Sequence, residues 1–563
     1  MKSYLYALAL LPLGLLPSGG HAQTPPDAGS LMQQMEQSRP SLPTPSPGPE
    51  IAPLPAPMRG LPGATVTVRA FRFVGNQLLS DAQLAPVVAP YLNRPLSFNE
   101  LQQAAAAVGE AYRAAGWIVR VYVPRQVIRD GVVMLQIVEA VFGKAVLDGV
   151  PLARVQTETI TGLLETASKR GEPLDAAALD RALLLIEDLP GLTSTASLRE
   201  GAAHGETDVV LKLADGPYLN GVVNLDNHGA RSTGSPRVIA GLAVNSPLRR
   251  GDQATLDVIH SQGSDYLRLG FMLPVGVNGW RVGTHASRLD YRVVADEFAA
   301  ADLTGSSSAF GFDASYPLLR SRLSNLYLKL VADHKRFDNR AAAQTTSNYR
   351  VDSLTASLVG NRFDNILGGG ASMANLSLVS GRVDLDGSPN QAADLAGPRS
   401  EGRYLKLAFA ASRHQMISGP LSFYAAYSGQ LAKDNLDSSE KFYLGGPAGV
   451  RAYPVNEAGG SSGQLLSLEL RAKLPHKLTL AGFYDWGQVT VNSDNDFPGA
   501  AQLNRYRLEG AGLSLEWLSP FGVSFKATWA HRIGNNPNPT LAGTDQDGSR
   551  TLNRGWLSAS LPI

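Results

Sequence analysis

The feature that most constrains this chain is an alternation of apolar and polar residues, repeated in runs of about ten after residue 217. Tyr266–Val275 sets Leu267, Leu269, Phe271 and Leu273 on one face and Arg268 and Gly270 on the other. Tyr404–Arg413 sets Leu405, Leu407, Phe409 and Ala411 against Lys406, Ala408 and Ala410. Leu465–Leu474 and Val523–Arg532 follow the same rule, with Ser467, Glu469, Arg471 and Lys473, and then Ser524, Lys526, Thr528 and Arg532, on their polar faces. A period of two is that of a strand, and about nine or ten tilted residues cross a bilayer. The apolar face meets lipid and the charged face suits a watery interior. A soluble sandwich or propeller would need neither an export signal nor charges facing away from a uniform apolar stripe.

The connections between runs alternate as well. Short turns fall at Leu248–Asp252, Gly276–Gly279, Ser418–Pro420, Pro475–Lys477 and Pro520–Gly522, and long polar loops near 295–307, 382–400, 433–464, 492–504 and 534–549. Short turns on one side and long loops on the other mark a transmembrane barrel. The pattern predicts 16 antiparallel strands over 217–563, an even count that returns Ile563 to the side where the strands begin. Composition agrees. Charged residues are 18% of the 563, no mature segment has the roughly 18 consecutive apolar residues of a membrane helix, and the net charge of +1 gives no field for nucleic acid. There are no cysteines, hence no disulfides or thiolate metal sites.

Ahead of the barrel the grammar differs. Residues 1–22 read as a signal peptide, with Lys2, an apolar Tyr4–Leu16 and small residues at Gly20 and Ala22. Within residues 23–39, Ala28–Arg39 suits one amphipathic helix with Leu31, Met32 and Met35 on a face and Asp27 or Ser30 as cap. The proline-rich stretch 40–63 is an extended tether. Two α/β units follow, 64–141 and 142–216, repeating at a spacing of roughly 75 residues. In the first, Thr65–Val74 reads as a strand, Ser80–Leu92 and Phe98–Ala115 as helices (Asn99 capping the second), and Ile118–Val123 and Val132–Val138 as strands around a turn at Asp130-Gly131. In the second, Phe142–Leu147, Thr193–Leu198 and Asp208–Leu213 read as strands, and Val155–Leu164 and Asp175–Leu185 as helices.

The run Gly116–Gly131 (GWIVRVYVPRQVIRDG), followed by Leu135-Gln136-Ile137-Val138-Glu139, resembles the first POTRA (polypeptide-transport-associated) domain of the hemolysin secretion/activation transporters. Asp188-Leu189-Pro190-Gly191-Leu192 and Gly205-Glu206-Thr207-Asp208 resemble the second. Ala140 stands where the family has Gly. In the longest loop, Val450-Arg451-Ala452-Tyr453 resembles the family's V-R-G-Y motif, and Phe483, Asp485 and Gly487 match its F-x-D-x-G strand motif. Alternation places Phe483, Asp485 and Gly487 toward the lumen, with Tyr484 and Trp486 toward lipid. The resemblance implies a loop folded into the lumen by pairing Arg451 with Asp485. Gly487 would leave room for it, and Ala452 would be strained if its position demands a positive φ. The family's closing aromatic residue is replaced by Leu561-Pro562-Ile563.

The resemblance implies an outer-membrane transporter, with periplasmic POTRA domains, that recognises one partner exoprotein bearing an N-terminal secretion domain and a β-helical body. It would pass that partner unfolded to the surface of a Gram-negative cell without ATP, the Ala28–Arg39 helix plugging the lumen at rest. The chain is expected to act as a monomer surrounded by outer-membrane lipid. The alternative within the superfamily is a barrel-assembly insertase, which would normally carry more POTRA units and no tethered helix. No enzyme, cofactor or metal site is expected. Gly459-Gly460-Ser461-Ser462-Gly463 spells G-x-S-x-G but sits in a glycine-serine loop, where no nucleophile elbow forms. Arg250-Gly251-Asp252 falls in a short turn, and the histidines show no metal spacing and no P-loop is present.

Overall fold

The computed structural model describes residues 26–40, 65–149, 152–203 and 205–563. The leader over 1–22 and nearly all of the 40–63 tether lie outside the described residues. Sixteen strands, from Leu219–Asp226 to Asn553–Pro562, close into a single antiparallel barrel. Closure joins the last strand to the first, from Ser558 opposite Asp226 to Pro562 opposite Val222. Pro562 has no N–H to give, but Ile563 and Gly221 exchange both backbone hydrogen bonds (2.8 and 3.0 Å), so the seam stays paired to its end. Hydrocarbon offers no partner to a free backbone group, and a closed barrel leaves none on an edge.

The outer face is the one that alternation assigned to lipid. Leu354, Leu376, Leu378, Leu405, Phe525 and Trp529 point outward with 43–57% of their surface uncovered by protein. Opposite them in phase, Thr528, Arg532, Lys406 and Asp485 are buried in the lumen. The lumen is not uniformly wet, however. Its inner wall carries an apolar patch of Ile239, Ile259, Leu289, Phe337, Tyr349, Val351, Val383 and Tyr404. A helix, Ala28–Gln37, packs Leu31, Met32 and Met35 onto that patch. Asp27 caps it, and Ser30 completes a capping box.

Both α/β units hold a three-stranded sheet and two helices. In the first, Thr65–Val74 is not one strand. It breaks at Arg69 into Thr65–Val68, which pairs with an unforeseen strand Arg94–Ser97, and Ala70–Val74, which runs parallel to Val132–Glu139. Asn99 does not cap the second helix; Ser97 does. Its hydroxyl accepts from the Glu100 N–H while Glu100 accepts from the Ser97 N–H at 2.8 Å. The turn Asp130-Gly131 has both residues at positive φ, 54° and 71°. Glu139 accepts from the Gln77 and Leu78 N–H groups and from the Tyr112 hydroxyl at 2.7–2.8 Å, tying the helices to the sheet.

The Asp188–Leu192 segment is the joint to the barrel. Asp188 takes both ends of the Arg320 guanidinium (2.8 and 2.9 Å), and the Ser246 hydroxyl donates to the Pro190 carbonyl. Leu189 packs against Gly251, where a Cβ would come within 2.5 Å of it. The R-G-D sequence is therefore a structural turn. Asp252 is fully buried and accepts from the Leu248 and Arg250 N–H groups.

Replacing Ser97 with Ala should weaken the first unit by about 1 kcal/mol, the usual worth of such a cap. Hydrogen exchange of the full chain should then show amides 98–102 exchanging faster, with the barrel amides unchanged.

Candidate functional site in the barrel lumen

The longest loop, 433–461, turns back into the barrel. Three features shape it. Phe442–Tyr443 pairs with Gly459–Gly460 as a two-residue ladder at its neck. The Val450 N–H donates to the Leu444 carbonyl at 2.7 Å, closing the tip. Leu444, Val450, Ala452 and Tyr453 are then buried against Phe483, Val489, Leu508 and Ala530 of the wall. The G-x-S-x-G sequence belongs to this neck. Ser461 is buried, accepting from the Leu436 N–H and donating to the Val491 carbonyl, with no helix following it.

Arg451 lies at the centre and is 6% exposed. Its Nε and Nη2 donate to the two oxygens of Asp485 at 2.8 and 2.7 Å, the bidentate pairing expected from the two motifs. Its backbone N–H donates to Asp485 as well, at 3.1 Å. Asp485 is fully buried on the lumen face of strand Leu478–Thr490. Phe483, two residues earlier on that face, lies under the guanidinium with its ring centre 3.5 Å from Cζ. Gly487, two residues later, leaves space that Leu444 and Val450 fill, and a Cβ there would come within 2.6 Å of Leu444.

The motifs did not reveal the rest of the anchor. Arg451 Nη1 donates to Glu469 at 2.7 Å and Nη2 to Ser467 at 3.0 Å. Glu469 in turn pairs with Arg471 at 2.7 Å, so charge alternates from Asp485 through Arg451 and Glu469 to Arg471 and sums to zero. Alternation had already put Ser467, Glu469 and Arg471 on the lumen face, but not in register with Arg451. The Trp556 indole donates to the Arg451 carbonyl at 2.8 Å, fastening the tip to the last strand beside the seam. A lumen-facing Trp runs against the tendency of barrel aromatics to face lipid, which is the one signal the sequence offered. Ala452 is unstrained, since it is not among the residues at positive φ. Room for its methyl comes from Gly510, where a Cβ would approach Ala452 to 2.6 Å. Tyr453 stacks under Arg532, with 4.2 Å from Cζ to the ring centre.

The helix shares the lumen with this loop. Its Glu36 accepts from Tyr266 (2.6 Å) and from Arg268 (3.0 Å), and Arg39 pairs with Asp257 at 3.0 Å. Ser438 of the loop donates to Asp27 at 2.9 Å, and Gly29 sits so close that a Cβ would fall 2.5 Å from the Ser438 hydroxyl. Loop and helix are therefore packed into one plug-like body. Among the described residues no group of His, Asp and Glu is arranged to hold a metal ion.

Residues 205–517, more than half of the chain, match the family described as haemolysin secretion/activation protein ShlB/FhaC/HecB, and residues 66–140 match the ShlB-type POTRA domain. The heme/hemopexin transporter protein HuxB of Haemophilus influenzae is 25% identical over 82% of both chains. The outer membrane transporter CdiB of Dickeya dadantii is 24% identical over 83% of this chain and 82% of its own. In fold, CdiB from Escherichia coli superposes with a TM-score of 0.68 at 19% identity, covering 96% of this chain and all of that one. BamA from Haemophilus ducreyi lacking POTRA domains 1–3 reaches 0.57 at 14%, covering 89% and all of that chain.

Removing one partner of a buried ion pair leaves the other uncompensated, at a cost of about 3–5 kcal/mol. Arg451→Ala or Asp485→Asn should therefore free the loop tip, read as new protease cleavage within 442–458 of a barrel that still migrates as folded. At the loop's outer side, Glu457 accepts from Asn536 and from the Gln546 N–H, joining it to the loop 533–552. Burial, reinforced by Asp545, raises its carboxyl to about 7, against the two hydrogen bonds. A group with a raised folded pKa contributes most when protonated, so this contact should weaken as pH rises from about 4.5 through 7. Protease protection of 533–552 should be greater at pH 5 than at pH 8, and Glu457→Gln should remove the difference. The chain belongs to the haemolysin secretion/activation (ShlB/FhaC/HecB) family of two-partner secretion transporters, a barrel in the outer membrane of a Gram-negative bacterium with its POTRA units in the periplasm.

Proposed function

We propose that the chain carries one cognate exoprotein, unfolded, from the periplasm through its own lumen to the cell surface, with no nucleotide hydrolysis. The observation that supports this reading is that the lumen is occupied by two parts that do not belong to its wall. One is a helix of ten residues joined to the POTRA region through the proline-rich stretch 40–63, and the other a loop hung on one buried arginine. The sheets of the two POTRA units end in edge strands, Val119–Tyr122 and Leu192–Glu200, whose free backbone groups could hold an extended chain by strand addition. Helix displacement then opens the path, and folding of the cargo outside gives direction. The cargo would carry an N-terminal secretion domain and a β-helical body. One chain closes the whole cylinder, which supports a transporter working as a monomer. An assembly insertase is less well supported, since the family match is to secretion proteins and the chain has two POTRA units with a lumen helix.

The absence of native cysteines makes a lock simple to build. A Cβ at Gly29 would lie 3.1 Å from that of Ser439, short of the span of about 3.5–4.5 Å that a disulfide bridges, and 2.9 Å from the Ser439 nitrogen, so the helix must move outward slightly to admit the bridge. Cells expressing Gly29→Cys/Ser439→Cys with the cognate exoprotein should secrete little under oxidation and recover on reduction. With the cross-link verified by mass spectrometry of the oxidised barrel, equal secretion in both conditions would overturn helix displacement as part of transport.

A further inference from the structure

The outward face of the barrel carries a charge pattern that transport does not use. On strand Gln344–Asp364 the lipid-facing series runs Arg350, Asp352, Leu354, Ala356, Leu358, Gly360, Arg362. From Asp352 to Arg362 is a rise of about ten residues, and at about 3.3 Å each with a tilt near 40° this spans roughly 25 Å, the height of a barrel's apolar band. Arg362 thus marks the periplasmic boundary, and Arg350 and Asp352 the external one.

At that external level the ladder sets like charges directly opposite each other, twice. Arg336 faces Arg350, and Arg382 faces Arg403. Cross-strand cations at this separation repel, and a sheet normally avoids them. The carboxylates nearby only partly answer them. Asp384 takes Arg350 at 2.5 Å, and Asp352 contacts the His334 ring at 2.6 Å, which in turn accepts from Arg336 at 3.0 Å. Arg382 has Asp384 two residues along and Asp352 directly opposite, and Arg403 has Glu401 two residues along, yet neither the Arg382 nor the Arg403 side chain holds a hydrogen bond or ion pair among the described residues. Four guanidinium groups against the three carboxylates of Asp352, Asp384 and Glu401 leave a net charge of +1 on the patch. Immediately below lie Leu354, Ser380 and Leu405, in register and apolar but for the serine. Two facing, unpaired guanidinium groups thus stand at the edge of an apolar surface.

We propose that this patch binds a phosphorylated glycolipid of the outer leaflet, its phosphate seated between Arg382 and Arg403 and its acyl chains lying over Leu354 and Leu405. Arginine forks match phosphate oxygens bidentately, and a shared anion turns the cross-strand repulsion into a bridge. The outer-membrane placement supplies a ligand of this chemistry at this height. The reading is independent of cargo transport.

The test uses the purified full chain in neutral detergent, with bis-phosphorylated lipid A as probe and binding followed by titration. Folding of each variant is verified by the heat-dependent shift in gel mobility. Arg382→Gln/Arg403→Gln should bind at least tenfold more weakly, and Arg382→Lys/Arg403→Lys should recover most of the loss. Should the double variant not fold, Arg403→Gln alone serves, with a smaller loss in the same direction. Lipid A stripped of both phosphates should bind the unaltered chain at least tenfold more weakly, and millimolar inorganic phosphate alone should not bind. Lys477→Gln, at a periplasmic turn, should change nothing. Equal binding by the glutamine variants, equal binding of the stripped lipid, tight binding of inorganic phosphate, or an equal loss with Lys477→Gln would each overturn the proposal.

Discussion

A backbone crossing hydrocarbon must satisfy every N–H and C=O from within the protein, and sixteen strands meet that demand by closing on themselves. Closure also produces the next constraint. A cylinder of this size encloses a lumen that wall side chains alone do not fill. The chain fills it with the tip of its longest loop and with a helix from its N-terminal region, and the rest of the site follows from how those two parts are held.

The loop has little regular structure of its own, so ordering it carries a large entropic cost. The offset is concentrated at Arg451. Bidentate bonds to Asp485, a second carboxylate at Glu469, the face of Phe483 and the Trp556 indole all converge on one residue. A buried guanidinium is tolerable only with this many partners, and the same requirement makes the anchor specific. The helix is held differently, by apolar side chains on an apolar wall and by ion pairs at its C-terminal end. Contacts of that kind are spread over several side chains, with no single residue carrying the attachment.

The period-two runs made the barrel and its lipid face legible, because one side of every strand meets hydrocarbon and the other does not. Asp485 was legible because its parity and motif agreed. Glu469 had the right parity, but only the register between neighbouring strands sets it beside Arg451, and register is a tertiary property. The apolar lumen patch was hidden for a related reason: Phe337, Val351 and Val383 look like ordinary strand residues until the helix covering them is in place. In the first α/β unit, Arg69 breaks what alternation reads as one strand, because Thr65–Val68 has its own partner in Arg94–Ser97. Ser97 rather than Asn99 starts the following helix since Glu100 stands three residues after it, the spacing a capping box requires.

A double-mutant cycle between Arg451 and Asp485 would probe the claim that one buried pair holds the loop in the lumen. The free energy of loop opening would be read from hydrogen exchange of amides 442–458 in the unaltered chain, Arg451→Ala, Asp485→Ala and the double variant. The account predicts strong coupling, with the double variant losing far less than the sum of the two single losses, by at least about 1.5 kcal/mol. Additive losses would show that the two residues act separately, and the loop would then have to be held by something other than their pairing.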